Sequence, residues 1–358
     1  MTTYLFAGGG SAGHVNPLLA VADHLRQHEP EAEIVVLGTA EGLEARLVPA
    51  RGYELVTIPR LPFPRRPSAA ALRFPAAYRR MVNSVVHILD ERSVELVVGF
   101  GGYAAAPAYS AAIRGHRPFV VHEGNVRPGL ANRFAARRTP WVGVTFPGTP
   151  LPHAVAVGMP LRPEIELLDR SATRLAASEY FGLDPVRPTL LVTGGSLGAR
   201  RLNSTVWDSA QDLIDLGWQI LHIQGNRGEL VDPMLDHYRL VSYCDRMELA
   251  LACTDFAVAR AGATTVSEFA FLGIPAVYVP FPVGNGEQRF NAAGIVAAGG
   301  GLLVKDADFS PGWLRANLFD LLKDHARIEH MATRAVSVGF RDGAERMVSL
   351  ISQARAAA

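Results

Sequence analysis

Short apolar runs recur along the first half of the chain at Tyr4 to Ala7, Ile34 to Leu37, Glu54 to Ile58, Leu96 to Gly99, Phe119 to His122 and Trp141 to Val144, with helix-length stretches between them. They are rich in Val, Ile and Leu and lack polar alternation, the pattern of strands covered on both faces of a parallel sheet. A second series follows at Leu190 to Thr193, Ile220 to Ile223, Phe256 to Ala259, Ala276 to Val279 and Leu302 to Val304. The β/α alternation therefore occurs twice and predicts two doubly wound α/β domains. Val157-Gly158-Met159-Pro160, with prolines at 147, 150, 152 and 163, reads as a linker and hinge between them. We place the domains at 1–158 and 159–339, and expect the helical C-terminal stretch, about 340–358, to pack back on the first domain.

A length of 358 residues suits two such domains. The formal net charge of +1 supplies no overall basic field for nucleic acid, so an anionic partner must be met by a local patch. Cys244 and Cys253 form no CxxC pair, which argues against a disulfide framework or a zinc site and fits a reducing cytoplasm. Met1 leads straight into an apolar strand with no basic segment or cleavage site, so no export signal is read. Nowhere do the roughly 18 uninterrupted apolar residues of a spanning helix occur. Contact with a membrane would be peripheral.

The loops after the strands carry the chemistry. Gly8-Gly9-Gly10-Ser11-Ala12-Gly13-His14 follows the first strand, with Asn16 as an expected N-cap and Pro17 as the first helical residue. Exposed amides and the helix dipole suit such a loop to phosphate. Residues 8–13 also match the GxGxxG of dinucleotide-binding domains. That reading expects an acidic residue closing the second strand, which here ends Leu37-Gly38-Thr39. A loop of the same type, Gly194-Gly195-Ser196-Leu197-Gly198-Ala199, opens the second domain. Two loops of this kind on facing domains suit a diphosphate donor on one and another anionic group on the other; the bland alternative is a pair of tight turns. In Arg260-Ala261-Gly262-Ala263-Thr264-Thr265-Val266-Ser267-Glu268, Glu268 lies early in a helix and could accept the hydroxyls of a ribose, or simply complement the helix dipole. In the polar loop from Pro280 to Asn291, Glu287, Gln288 and Asn291 could read sugar hydroxyls.

The segments GGGSAGHVNP at 8–17, FGGYAAAP at 100–107, HEGN at 122–125, GGSLGA at 194–199, RAGATTVSE at 260–268 and GNGEQRFNA at 284–292, in this order, resemble the MurG family of bacterial glycosyltransferases (glycosyltransferase family 28) over nearly the whole chain. The resemblance implies a GT-B fold, two Rossmann-like domains with parallel sheets facing across a cleft. It implies inverting transfer of N-acetylglucosamine from UDP-N-acetylglucosamine to the muramyl C4 hydroxyl of lipid I, the undecaprenyl-diphosphate-linked muramyl peptide, giving lipid II for the cell wall. By the same resemblance Ser196 and Arg162 hold the donor diphosphate, Glu268 the ribose, and Tyr243 and Cys244 the uracil. Ala263, Thr264, Glu287 and Gln288 surround the sugar and its phosphate, and Asn125 reaches the donor from the first domain. Gly10, Ser11 and Gly13 would receive the lipid diphosphate, with Tyr103 and Glu123 supporting the acceptor.

His14 is the family-like base for the acceptor hydroxyl, and an ordinary pKa near 6.5 suits that duty; the alternative is that it only positions phosphate. No cofactor and no metal are expected. Asp306-Ala307-Asp308 spells a DxD but reads as a solvated loop. Arg60, Arg65, Arg66, Arg73, Arg79 and Arg80 around Leu61, Phe63, Leu72, Phe74 and Met81 suit an anionic inner-leaflet surface, or form an ordinary solvated helix face. Ser11-Ala12, Gly124 and Leu197 depart from the commonest family residues, which leaves open a related transferase with another acceptor. A nucleotide-sugar epimerase and a non-catalytic UDP-sugar-binding protein are the remaining alternatives.

Overall fold

The computed structural model describes residues 2–64, 68–283 and 285–358. The first series of apolar runs forms strands β1 (Thr3–Ala7), β2 (Glu33–Gly38), β3 (Glu54–Thr57), β4 (Val94–Gly99), β5 (Phe119–Glu123) and β6 (Val142–Val144), joined by a short β7 (Ala154–Ala156). All pair in parallel, in the order β3-β2-β1-β4-β5-β6-β7. The helices α1 (Ala12–His28), α2 (Glu44–Ala50), α3 (Ala69–Glu91), α4 (Gly102–Arg114) and α5 (Leu130–Ala135) connect them. Parallel strands need such crossovers, and the crossovers cover the sheet faces that the Val- and Leu-rich strands must bury.

The second series forms β8 (Thr189–Thr193), β9 (Gln219–Ile223), β10 (Tyr238–Val241), β11 (Phe256–Ala259), β12 (Ala276–Tyr278) and β13 (Gly301–Leu303), again parallel, in the order β10-β9-β8-β11-β12-β13. Each sheet reverses direction of growth beside its first strand: between β1 and β4 in one, between β8 and β11 in the other. Loops leaving the carboxyl ends of those strands diverge there and open a crevice suited to a ligand.

The chain divides into one unit of Met1–Arg162 with Asp342–Ala358, and a second of Pro163–Arg341. The division thus falls after Arg162 rather than after Gly158. The C-terminal helix (Gly343–Ala356) belongs to the first unit, where Met347, Val348, Leu350, Ile351 and Ala354 share a core with Tyr4, Phe6, Leu18 and Val98. Arg355 Nη1 donates to both Tyr4 Oη (2.7 Å) and Glu29 Oε2 (2.6 Å) at the rim of this contact.

Two local expectations are corrected. α1 starts at Ala12, with Ser11 as N-cap, so Pro17 lies inside the helix and Asn16 caps nothing. As the sixth residue of α1, Pro17 has no N–H to give the Gly13 carbonyl four residues back, so the helix forgoes one bond in its second turn. The earlier start places His14 third in the helix. Asp306 is not a solvated loop residue, as described below.

Candidate functional site

In the first unit the switch point gathers Gly10, Ser11, Gly13 and His14 from the β1 loop and Gly101, Gly102 and Tyr103 from the start of α4. The His14 side chain is half-buried, and its Nδ1 lies 3.2 Å from the Gly9 carbonyl oxygen and 3.2 Å from Ser11 Oγ. A carbonyl can only accept, so Nδ1 carries the proton and Nε2 is left with its lone pair. Nε2 borders Gly101, whose missing side chain keeps that edge open. Burial pulls the imidazole below its usual pKa, while Glu123, the Gly9 carbonyl and Glu44 pull it back up.

The amide of Gly10 is not available to an anion, contrary to expectation: it donates to Glu44 Oε2 at 2.8 Å. The amides of Ala12 and Gly13, in the first turn of α1, have no helical carbonyl four residues back to bond. Tyr103 lies beside Gly10, with its ring 4.7 Å beneath the Arg60 guanidinium and its hydroxyl accepting from Arg60 Nη2 at 3.2 Å.

Glu123 is also corrected. Its Oε1 accepts from the backbone (2.8 Å) and side-chain (3.4 Å) amides of Asn125, and its Oε2 from the Gly129 amide and Asn132 Nδ2, both at 2.9 Å. A carboxylate this fully bonded and buried organises its own loop and holds Asn125; it does not present a spare oxygen to an acceptor hydroxyl. Neither Glu44 nor Asn132 was singled out from the sequence. A lone Glu opening a short helix gives no signal until its neighbours are known.

In the second unit the loop after β8 is pinned from both ends. Gly195 N donates to Thr193 Oγ1 (3.3 Å) and Gly198 N to the Gly195 carbonyl (2.9 Å). Gly198 has φ +81°, and a Cβ there would overlap the Gln224 carbonyl, so only glycine fits. Ser196 is exposed at the tip, its carbonyl accepting from Asn226 N at 2.9 Å. Across the switch point, the Ala263–Leu272 helix begins with Ala263 and Thr264; the Thr264 hydroxyl is buried with no hydrogen-bond partner among the described residues. Glu268 is buried in the same helix. Tyr243 and Cys244, half-buried, follow β10, three strand positions from β11 in the sheet. At the usual strand spacing that separation is about 14 Å, the reach of an extended nucleotide laid along the carboxyl edge.

The loop after β12 is less free than expected. Gln288 Oε1 accepts from the amides of Ala261 (3.2 Å) and Phe281 (2.9 Å), and Asn291 Nδ2 donates to the Ala261 carbonyl at 3.3 Å. Both tie this loop to the Ala263 helix entrance, and Glu287 beside them is half-buried. Arg162 is the last residue of the first unit. Asp306 of the DxD lies 2.6 Å from Arg260 Nη1 and 3.5 Å from Arg201 Nε, both partners taking charge contact from one carboxylate. The Nη1 hydrogens point at the Val279 and Pro280 carbonyls, so the close Arg260–Asp306 approach is ionic rather than an aligned hydrogen bond. Asp308 is exposed.

On α3, Leu72, Arg73, Arg79 and Arg80 are exposed, and the exposed Phe63 of the segment before it meets Phe74 edge-on at 5.4 Å. Met81 instead packs against the core and leaves the proposed patch. Arg65 and Arg66 lie outside the described residues. No helix among the described residues is long and apolar enough to cross a membrane.

Residues 4–143 match the family described as glycosyltransferase family 28 N-terminal domain, and residues 189–347 match its C-terminal domain. A relative from Leifsonia xyli subsp. xyli, named UDP-N-acetylglucosamine–N-acetylmuramyl-(pentapeptide) pyrophosphoryl-undecaprenol N-acetylglucosamine transferase, is 68% identical over 100% of both chains. One of the same name from Streptomyces coelicolor is 48% identical over 99% of this chain and 98% of its own. Among solved structures, Acinetobacter baumannii MurG matches with a TM-score of 0.78 and 26% identity, over 99% of this chain and 100% of that one.

Proposed function

The chain belongs to glycosyltransferase family 28, and from that premise we propose that it transfers N-acetylglucosamine from UDP-N-acetylglucosamine to the muramyl C4 hydroxyl of lipid I, giving lipid II for peptidoglycan. The observation that carries this reading is end-to-end identity with relatives named for that transfer.

The residues fit the chemistry. His14 Nε2 takes the proton of the C4 hydroxyl as its oxygen attacks the anomeric carbon; the bond from that carbon to the UDP oxygen breaks on the opposite face, so configuration inverts. The amides of the 194–199 loop, Ser196 and Arg162 meet the charge growing on the departing diphosphate. Thr264 offers its unbonded hydroxyl to the donor phosphate, with Ala263 beside it. Glu268 takes the ribose hydroxyls, Tyr243 and Cys244 the uracil, and Glu287 with the Gln288 amino group the sugar. Asn125, held by Glu123, completes the donor contacts; Ser11 and Gly13 receive the acceptor diphosphate, and Tyr103 supports the acceptor hydroxyl. The exposed arginines and apolar side chains of α3 hold the enzyme at the anionic inner face of the plasma membrane.

Product analysis with UDP-N-acetylglucosamine and a short-chain lipid I analogue, in chelator, tests the reading. Lipid II analogue formed at full rate supports donor, acceptor and metal independence together; UDP binding without transfer overturns the acceptor assignment. For the membrane face, vesicles containing anionic lipid should bind the protein in a salt-sensitive way, and a triple substitution of Arg73, Arg79 and Arg80 to Glu should abolish sedimentation with them. Equal binding to neutral vesicles would sink that assignment.

A further inference from the structure

Glu44 is a fully buried carboxylate at the start of α2 that the catalytic reading above does not use. Its pocket is built for it. Side chains at Gly9 or Gly42 would overlap the carboxylate itself, so two glycines clear its space. Oε1 accepts from the Thr39 amide (2.9 Å) and hydroxyl (2.7 Å), and Oε2 from the Gly10 amide (2.8 Å). Burial alone would raise its pKa, but these hydrogen bonds hold it below the usual carboxylate range, so it is ionised.

The Gly10 N–H and the Gly9 C=O belong to one peptide group, and in a trans peptide they point in opposite directions. At one edge of that group stands Glu44; at the opposite edge, the Gly9 oxygen accepts from His14 Nδ1. We propose that Glu44 is the positioning residue for His14, acting through the Gly9–Gly10 peptide. The carboxylate fixes the orientation of the peptide and polarises it, so its carbonyl oxygen becomes a stronger acceptor. That acceptor holds the proton on Nδ1 and leaves Nε2 as the basic nitrogen. The arrangement does the work of a carboxylate bonded directly to a catalytic histidine, with one peptide group between the two.

The inference rests on the reading of His14 as base, and the test separates the two. Glu44→Gln keeps the shape, but whichever way its amide turns, either Gly10 or Thr39 presents an N–H to an NH2 group. We expect kcat to fall about 10- to 100-fold, as for a misoriented base, with the KM for UDP-N-acetylglucosamine nearly unchanged. The pH profile discriminates electrostatics from simple loosening. The charged groups facing His14 are Glu44 from α2 and Glu123 from β5, with His122 close by on β5. Losing the Glu44 charge lowers the imidazole pKa, so the acid limb of kcat/KM should move to lower pH; a loop that merely opened to water would move it up. Nitrogen-15 NMR of the histidines, with His14 assigned by its disappearance in His14→Gln, should show Nδ1–H in the wild type and a tautomer mixture in Glu44→Gln.

An upward shift of the acid limb, unchanged kcat in Glu44→Gln, or an Nε2–H tautomer in the wild type would overturn the proposal, the last without any variant needing to fold. If His14→Ala keeps its turnover, the base reading falls instead, and the tautomer comparison alone then decides whether Glu44 acts on His14.

Discussion

At Thr264 the role proposed for a ligand and the cost to the fold can be separated by one substitution. Its hydroxyl is buried at the entrance of the Ala263–Leu272 helix with no hydrogen-bond partner among the described residues. An unmet buried polar group costs roughly 1–3 kcal/mol. Thr264→Val keeps the shape and removes that cost, so the thermal midpoint should stay level or rise. The same change removes the donor proposed for the nucleotide phosphate, and UDP affinity by calorimetry should fall about tenfold, equivalent to about 1.4 kcal/mol. A fall in both quantities would mean that the hydroxyl supports the fold. Stability and binding pulling apart at one atom is the mark of a position kept for chemistry. His122 and His222 are the opposite case, buried residues that serve the fold. Burial lowers their pKa to about 4 and about 3, so the native state refuses protons that the unfolded chain takes up near pH 6.5. Their contribution is intact above that pH, and stability declines as pH falls from about 6.5 toward those values.

Among the elements, the strands were legible wherever both faces are buried, because the apolar run is then continuous. β7 and β10 escaped that reading. β7 (Ala-Val-Ala) is an edge strand mostly open to solvent, and β10 (Tyr-Arg-Leu-Val) is an edge strand with an exposed arginine, so neither has two covered faces. The glycine loops were legible for a similar reason: glycine at a strand end has few uses besides close approach. What the local pattern could not convey is where side chains from distant segments finish. Glu44, Glu123 and Gln288 each end bonded to backbone amides; in sequence Glu123 and Gln288 read equally well as ligand contacts, and Glu44 gave no signal at all. Asp306 is the sharpest example, a DxD residue that became a clamp between Arg260, at the end of β11, and Arg201. Removing one partner from a mostly buried ion pair costs about 3–5 kcal/mol. Asp306→Asn should therefore lower the unfolding midpoint substantially while leaving chelator-treated turnover of the surviving folded enzyme near wild type. Loss of turnover with stability unchanged would return the DxD to the reaction.

At the scale of the whole molecule, the first unit is assembled from both ends of the chain. The C-terminal helix supplies Met347, Val348, Leu350 and Ile351 to a core it shares with β1, β4 and α1. Burial of four such side chains stabilises on the order of 5–10 kcal/mol as an upper estimate, comparable to the stability of an entire domain. A chain stopped after Arg341 should lose the first unit's cooperative unfolding transition and all transfer activity, yet still bind UDP through the second unit; full transfer by that chain would refute the dependence. The second unit is contiguous, Pro163–Arg341, and contains its whole core. During synthesis the usual order of events, N-terminal domain first, is thus reversed in its final step. The half made first must wait on the ribosome with an apolar face uncovered until the last residues emerge, while the half made second can already be native.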